Sequence, residues 1–236
     1  MPRRSEKRGL GTRVLRGAVV LVLLVMLLPV ALVLPLRWFP PPVTAFMLQD
    51  QSGRVPVLYE WADWPSLGTN AALAVVAAED QTFADHFGFD VKSIRESVES
   101  YNQGDSLRGA STITQQVAKN LYLWPGRSFA RKGVEAWFAL LIEVFWTKKR
   151  ILEVYLNIAE FGPGLYGIPA ASRIYFNKAA TNLSDDEAAL LAAVLPNPRR
   201  LDASRPSEYV RERQRWIERH MQRLHREAWI TRISQD

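Results

Sequence analysis

The 236-residue chain is 48% hydrophobic and has no cysteine, which excludes a disulfide framework, a Cys-ligated zinc site and a thiol nucleophile. Its length suits one substantial buried core plus an appendage. The formal net charge of +6 is concentrated at the N-terminus, where residues 1–16 hold six basic residues against Glu6 alone. The rest is close to neutral, so nucleic acid is not an expected partner.

Gly17 to Leu36, GAVVLVLLVMLLPVALVLPL, runs twenty residues without a charge. At about 1.5 Å per residue it crosses the roughly 30 Å hydrocarbon layer of a bilayer. Arg3, Arg4, Lys7, Arg8, Arg13 and Arg16 precede it. The positive-inside rule therefore predicts a cytoplasmic basic N-terminus (1–16), a transmembrane anchor (17–36) and an outward-facing remainder. A cleaved signal peptide is the alternative, but its apolar region is usually about 7 to 15 residues, and no A-x-A site precedes Arg37. Trp38 to Pro42, WFPPP, reads as an interfacial aromatic and stiff linker (37–45) that lifts a domain (46–236) off the membrane.

Phe46 to Tyr59 has some strand character, with a turn at Gly53. From there on the periodicity is helical and predicts helices over 70–80, 91–101, 112–123, 129–147, 149–159, 168–175, 184–195 and 207–229. The domain is thus mainly α, and its chemistry must sit on helix ends and loops.

Glu79 and Asp80 follow the apolar run Ala71 to Ala78, at the helix end where the macrodipole disfavours negative charge. Partial burial there would raise a glutamate toward the range of a general base; a solvated helix end is the bland alternative. The loop 102–110, NQGDSLRGA, should be mobile. Next comes Ser111 to Gln116, STITQQ, in which Thr112 and Gln115 form a capping-box pattern. The same helix N-terminus suits a phosphate. Lys119 shares a helix side with Gln115 and Gln116, and Arg127, Arg131 and Lys132 follow. These four cations are either a pyrophosphate cradle or a solvated basic face.

Gly133 to Thr147 is apolar around nearly its whole circumference, interrupted by Glu135 and Glu143. A buried carboxylate needs a cation or a function, and Arg131 or Lys132 could pair with Glu135 structurally; Glu143 reads as structural. Lys148 to Asn157 is an amphipathic core helix whose polar contacts would be Glu153, Tyr155 and Asn157. Phe161 to Gly167, FGPGLYG, is a Gly-rich turn without the spacing of a nucleotide loop. The segment from Arg199 onward holds ten Arg against six acids and reads as a closing helix with Trp216, Leu224 and Trp229 on or near its inward face.

Taken together, these stretches resemble the family-51 glycosyltransferases, the peptidoglycan glycosyltransferases, over roughly 46–198. Four ordered motifs carry the resemblance: Glu79-Asp80-x-x-Phe83-x-x-His86-x-Gly88, Gly109-x-Ser111-Thr112-x-Thr114-Gln115-Gln116, Arg131-Lys132-x-x-Glu135, and Ile151-Leu152-Glu153-x-Tyr155-Leu156-Asn157. The monofunctional biosynthetic type is the nearest, since no Ser-x-x-Lys of a transpeptidase is present. Pro169 is a small departure that a first helical turn accommodates.

The resemblance implies a lysozyme-like helical domain with a smaller membrane-facing lobe, preceded by one N-terminal transmembrane helix of the bacterial inner membrane. It implies polymerisation of lipid II into β-1,4-linked glycan, with inversion and release of undecaprenyl pyrophosphate. Glu79 would be the catalytic base and Glu135 would assist at the donor phosphates. Lys119, Arg127, Arg131 and Lys132 would hold the pyrophosphate; Phe83, His86, Ser111, Thr112, Gln115, Gln116, Tyr155 and Asn157 would line the substrate cleft. No cofactor is implied as obligatory, and a divalent cation such as Mg2+ is allowed at the pyrophosphate. The implied partners are the lipid-linked glycan, the membrane and cell-wall synthesis or division proteins. Two rival readings stay open: a lytic transglycosylase or muramidase, whose neutral leaving group needs no phosphate clamp, and a catalytically silent anchor module.

Overall fold

The computed structural model describes residues 10–54, 56–102, 111–126, 128–224, 229, 232 and 233. The basic residues before Leu10, the expected mobility of 103–110, Gly109 of the second motif and Arg127 lie outside the described residues.

In chain order the elements are α1 (Leu10–Val33), α2 (Ala45–Leu48), β1 (Leu58–Tyr59), α3 (Trp64–Leu67), α4 (Thr69–Glu79), α5 (Val91–Asn102) and α6 (Ile113–Tyr122), then α7 (Phe129–Phe145), α8 (Lys148–Ile158), β2 (Glu160–Gly162), β3 (Leu165–Tyr166), α9 (Ile168–Phe176), α10 (Asp185–Val194) and α11 (Glu208–Arg223). The mainly helical class stands, and the eight helices expected from periodicity form with every end but the last within two residues. Ser or Thr side chains cap α6, α7, α8 and α11 by accepting from the third residue onward, which satisfies a backbone N–H that the helix start leaves unpaired.

The core is built around α4. Ala71 to Ala77 are all buried, and these small side chains let neighbouring helices approach closely. α8, α10 and α11 pack on it, α10 contributing buried Ala188 to Val194. A helix apolar on every side belongs in an interior, and its polar end is where a site can form.

Phe46 to Leu48 is helical rather than extended, because the Thr44 hydroxyl accepts from the Met47 backbone N–H at 3.1 Å and starts a helical turn. The Gly-rich turn expected at 161–167 is a hairpin: β3 pairs antiparallel with β2 and parallel with β1 in the order β1-β3-β2. Gly167 closes it at φ +85°, and a Cβ there would sit 2.5 Å from the Asn157 carbonyl oxygen.

Gly11–Arg37 is long and apolar enough to cross a membrane, and its large side chains from Val14 to Leu28 are exposed. Its C-terminal end is not held away from the domain as the Pro-rich linker suggests. Val33 is fully buried, and Trp146 Nε1 donates to its carbonyl at 3.0 Å. Tyr122 donates to Leu32 O at 3.3 Å, Arg150 to Leu36 O at 3.0 Å and Phe39 O at 2.8 Å, and Arg37 to Phe145 O at 2.8 Å. Carbonyls at a helix end need donors, and the domain supplies them.

Candidate active site

Glu79 is the last residue of α4, and its side chain is only 14% exposed. Gln116 Nε2, from the first turn and a half of α6, donates to its Oε2 at 2.9 Å; Arg213, from the middle of α11, donates to its Oε1 at 3.1 Å. The Tyr155 hydroxyl, buried on α8, donates to Gln116 Oε1 at 3.1 Å. Burial raises the Glu79 carboxyl above its ordinary value, opposed by the Gln116 hydrogen bond and by the charges of Arg213 and Lys119. The group that needs a reason to sit at a helix end is thus gripped from two other helices.

Its neighbour Asp80 builds the wall behind it. One Asp80 oxygen pairs with His86 Nε2 at 2.8 Å and the other accepts from the Ile113 backbone N–H at 3.0 Å, joining the end of α4 to the start of α6. Thr112 donates to Gly88 O at 2.7 Å, and with Gln115 forms the capping box of α6. Gly88 is at φ +75°, and a Cβ there would meet the Glu143 side chain at 2.9 Å. Glu143 accepts from Thr114 at 2.6 Å and from Lys148 at 2.8 Å, the structural role its sequence position suggests.

A second constellation surrounds the start of α7. Lys132 Nζ lies 2.5 Å from Glu135 Oε1 and donates to Ser111 Oγ at 3.0 Å, while Arg131 approaches Glu135 Oε2 at 3.4 Å. Glu135 itself is buried. Lys119 interacts with both carboxylates, Glu135 and Glu79; burial lowers its ammonium below the ordinary lysine value, and the two glutamates oppose that. Its Nζ also lies 5.5 Å from the centre of the Phe46 ring.

A cavity of about 270 Å³ is lined by Glu79, Asp80, Thr82, Asp90, Ser93 and Ser111, so it reaches from the end of α4 to the residue whose hydroxyl Lys132 holds. A second, of about 180 Å³, is lined by Phe46, Gln116, Lys119, Tyr155, Glu160 and Pro198. Gln116 therefore faces one space while its amide touches the carboxylate that faces the other.

Of the residues singled out in the sequence, Glu79, Gln116, Lys119 and Tyr155 converge, as do Ser111, Arg131, Lys132 and Glu135. Five are turned into the scaffold instead. Phe83 is fully buried; His86 is engaged by Asp80; Thr112 and Gln115 cap α6; Asn157, fully buried, bonds the backbone N–H and carbonyl of Ala62 and the carbonyl of Glu153. Their polar atoms serve local or inter-segment pairing. Arg213 is the residue that sequence reasoning passed over, and Asp80, noted beside Glu79, was given no site role there. Val210, Gln214, Ile217 and Met221 are the buried stripe of α11, and Arg213 adjoins it. Of the residues expected on or near the inward face, Leu224 packs against the core and Trp229 is buried, while Trp216 is on the outer side, stacked on His220 with ring centres 3.8 Å apart.

Comparison with known proteins identifies the family. A family model described as Transglycosylase matches residues 53–222. The chain is 51% identical over 219 residues to the biosynthetic peptidoglycan transglycosylase of Stutzerimonas stutzeri (strain A1501), covering 90% of each protein. It is 54% identical over 188 residues to that of Shewanella frigidimarina (strain NCIMB 400), covering 80% of this chain and 82% of the relative. Against that of Pseudomonas aeruginosa PAO1 it is 48% identical over 210 residues, covering 86% and 90%. With the matched segment spanning both carboxylate constellations and α4 to α11, the chain belongs to the transglycosylase family.

Proposed function

We propose that the chain is a peptidoglycan glycosyltransferase that polymerises lipid II. The observation that carries the reading is the pair of buried carboxylates: Glu79 lines a cavity, and Glu135 is held by Lys132 and Arg131. The acceptor 4-hydroxyl gives its proton to Glu79 as its oxygen bonds to the donor anomeric carbon. On the opposite face the bond from that carbon to the pyrophosphate oxygen breaks, and the electron pair leaves with undecaprenyl pyrophosphate. The configuration inverts to β. Lys119, Arg131 and Lys132 stabilise the departing charge, commonly the largest catalytic contribution, while Glu135 keeps the lysine and arginine forks in place. Arg131 Nε is buried without a partner among the described residues, a donor left over for a phosphate oxygen.

No step is derived through a divalent ion. Both Glu135 oxygens are already taken by Lys132 and Arg131, and among the described residues no group of three or more His, Asp or Glu side chains could hold a metal. Transpeptidation is not assigned either, since the sequence has no Ser-x-x-Lys. The apolar helix, with Arg13 and Arg16 near its start, anchors the domain to the inner membrane with the N-terminus inside, beside a substrate that is itself a lipid.

The lytic reading uses a catalytic Glu as well, but cleaving a glycosidic bond gives a neutral leaving group for which clustered cations are superfluous. Incubating the detergent-solubilised chain with lipid II, and separately with purified sacculi, decides between them. Glycan polymer from lipid II is expected. Inertness toward lipid II with release of fragments from sacculi would overturn the proposal.

A further inference from the structure

Arg213 lies 134 residues from Glu79 in sequence, yet its NH2 reaches Glu79 Oε1 at 3.1 Å and the Ala78 carbonyl at 3.3 Å. One guanidinium thus binds the side chain and a free backbone carbonyl at the same helix end, where a cation also complements the macrodipole. With Gln116 on Oε2, both carboxylate oxygens are held and the plane of the carboxylate is set. Arg213 Nε is buried and has no partner among the described residues. An arginine serving only to pin α11 onto α4 has no need to aim its fork at the candidate base.

We propose that Arg213 is a positioning residue for Glu79: it orients the carboxylate toward the cavity and keeps it ionised. The inference rests on the reading of Glu79 as the base. The groups facing Glu79 are Lys119 and Gln116 from α6, Tyr155 from α8, Arg213 from α11 and the adjacent Asp80. α10 presents only apolar side chains from Ala188 to Val194, and the short turn 180–182 carries no ionisable group. The Gln116 hydrogen bond and the positive charges of Arg213 and Lys119 are what offset desolvation of the carboxylate. Lys119 is shared with Glu135; Arg213 is committed to Glu79.

The sign follows directly. A base works deprotonated, and an opposite charge in contact lowers a carboxyl pKa by roughly 1 to 3 units, so losing it moves the acid limb of the activity profile upward. The experiment measures kcat/KM against pH on lipid II in detergent for wild type, Arg213→Gln, Arg213→Lys and Glu79→Gln, with melting temperatures for all four. Arg213→Gln should move the acid limb up by about one unit or more and lower kcat more than it raises KM. Arg213→Lys should hold the limb in place, because the charge remains, but lower kcat several-fold, because an ammonium on a shorter stem does not reproduce the reach and planar geometry of the guanidinium. An Arg213→Gln limb that overlays wild type, with only melting temperature reduced, overturns the inference. Should that variant fail to fold, Arg213→Lys with wild-type kcat does the same. Polymerisation by a folded Glu79→Gln would instead remove the base reading, and this inference with it, whereas an inactive Glu79→Gln beside an unmoved limb rejects the role of Arg213 alone.

Discussion

The Gln116 amide and the Glu79 carboxylate meet at 2.9 Å, and the opposite end of the same amide meets the Tyr155 hydroxyl at 3.1 Å. A carboxylate cannot donate, so the amide NH2 must face Glu79 and the amide oxygen must face Tyr155. Tyr155 thereby orients Gln116, and Gln116 orients Glu79. Gln116→Ala should lower kcat by up to ~100-fold, the scale of a misplaced reacting group, while Tyr155→Phe should lose about 0.5 to 1.5 kcal/mol of stability and have a smaller effect on rate. Steady-state kinetics and denaturant titration on both variants test the order; a larger rate loss in Tyr155→Phe would break the chain of dependence.

Glu79→Gln keeps shape and nearly keeps hydrogen bonding, so the fold should persist while polymerisation falls by at least ~100-fold. Burial raises the Glu79 carboxyl, so the acid limb of the wild-type kcat/KM profile should lie above the ordinary glutamate value of 4.5, with activity lost as pH falls through it. A profile flat down to pH 4.5 would place the base elsewhere.

The cations around Glu135 differ in exposure: the Lys132 side chain is 46% exposed, while that of Arg131 is 11% exposed. Lys119→Ala and Lys132→Ala should each lower kcat/KM by ~1.5 to 3 kcal/mol, the worth of a charge-assisted hydrogen bond. The inhibition constant of inorganic pyrophosphate should rise with them. Unchanged inhibition in both variants would assign the cations to the scaffold.

Glu143 and Lys148 behave oppositely. Both side chains are at most 10% exposed, and Lys148 also donates to His86 O at 2.6 Å, so Lys148→Met strands a buried carboxylate. About 3 to 5 kcal/mol of stability should be lost, read by chemical denaturation, with kcat per folded molecule little changed. A stable but inactive variant would contradict this.

What the sequence discloses and what it withholds divide by range. Helices came through because they are long enough for their apolar period to register and several begin at a Ser or Thr cap, as Thr112 with Gln115 and Ser184 with Glu187 illustrate. α2, α3 and the strands are two to four residues long, too short for any period to register. Glu79 was legible as a carboxylate at the wrong end of a helix. Arg213 was not, because among the many arginines of the closing segment only the packing of α11 on α4 singles it out. Likewise nothing local tells that His86 belongs to Asp80, or Asn157 to the backbone of Ala62.

The fastening of Leu32, Leu36, Arg37 and Phe39 to Tyr122, Arg150 and Phe145 turns the apolar helix from a tether into a strut. A tethered domain samples a hemisphere of orientations above the lipid; a strutted one meets its substrate in two dimensions, at one height and with its rotation already restricted. Whatever tilts the span also tilts the cleft. Since a span longer than the hydrocarbon layer adjusts by tilting, the proposed anchoring makes bilayer thickness a determinant of the angle at which the cavity beside Glu79 is presented.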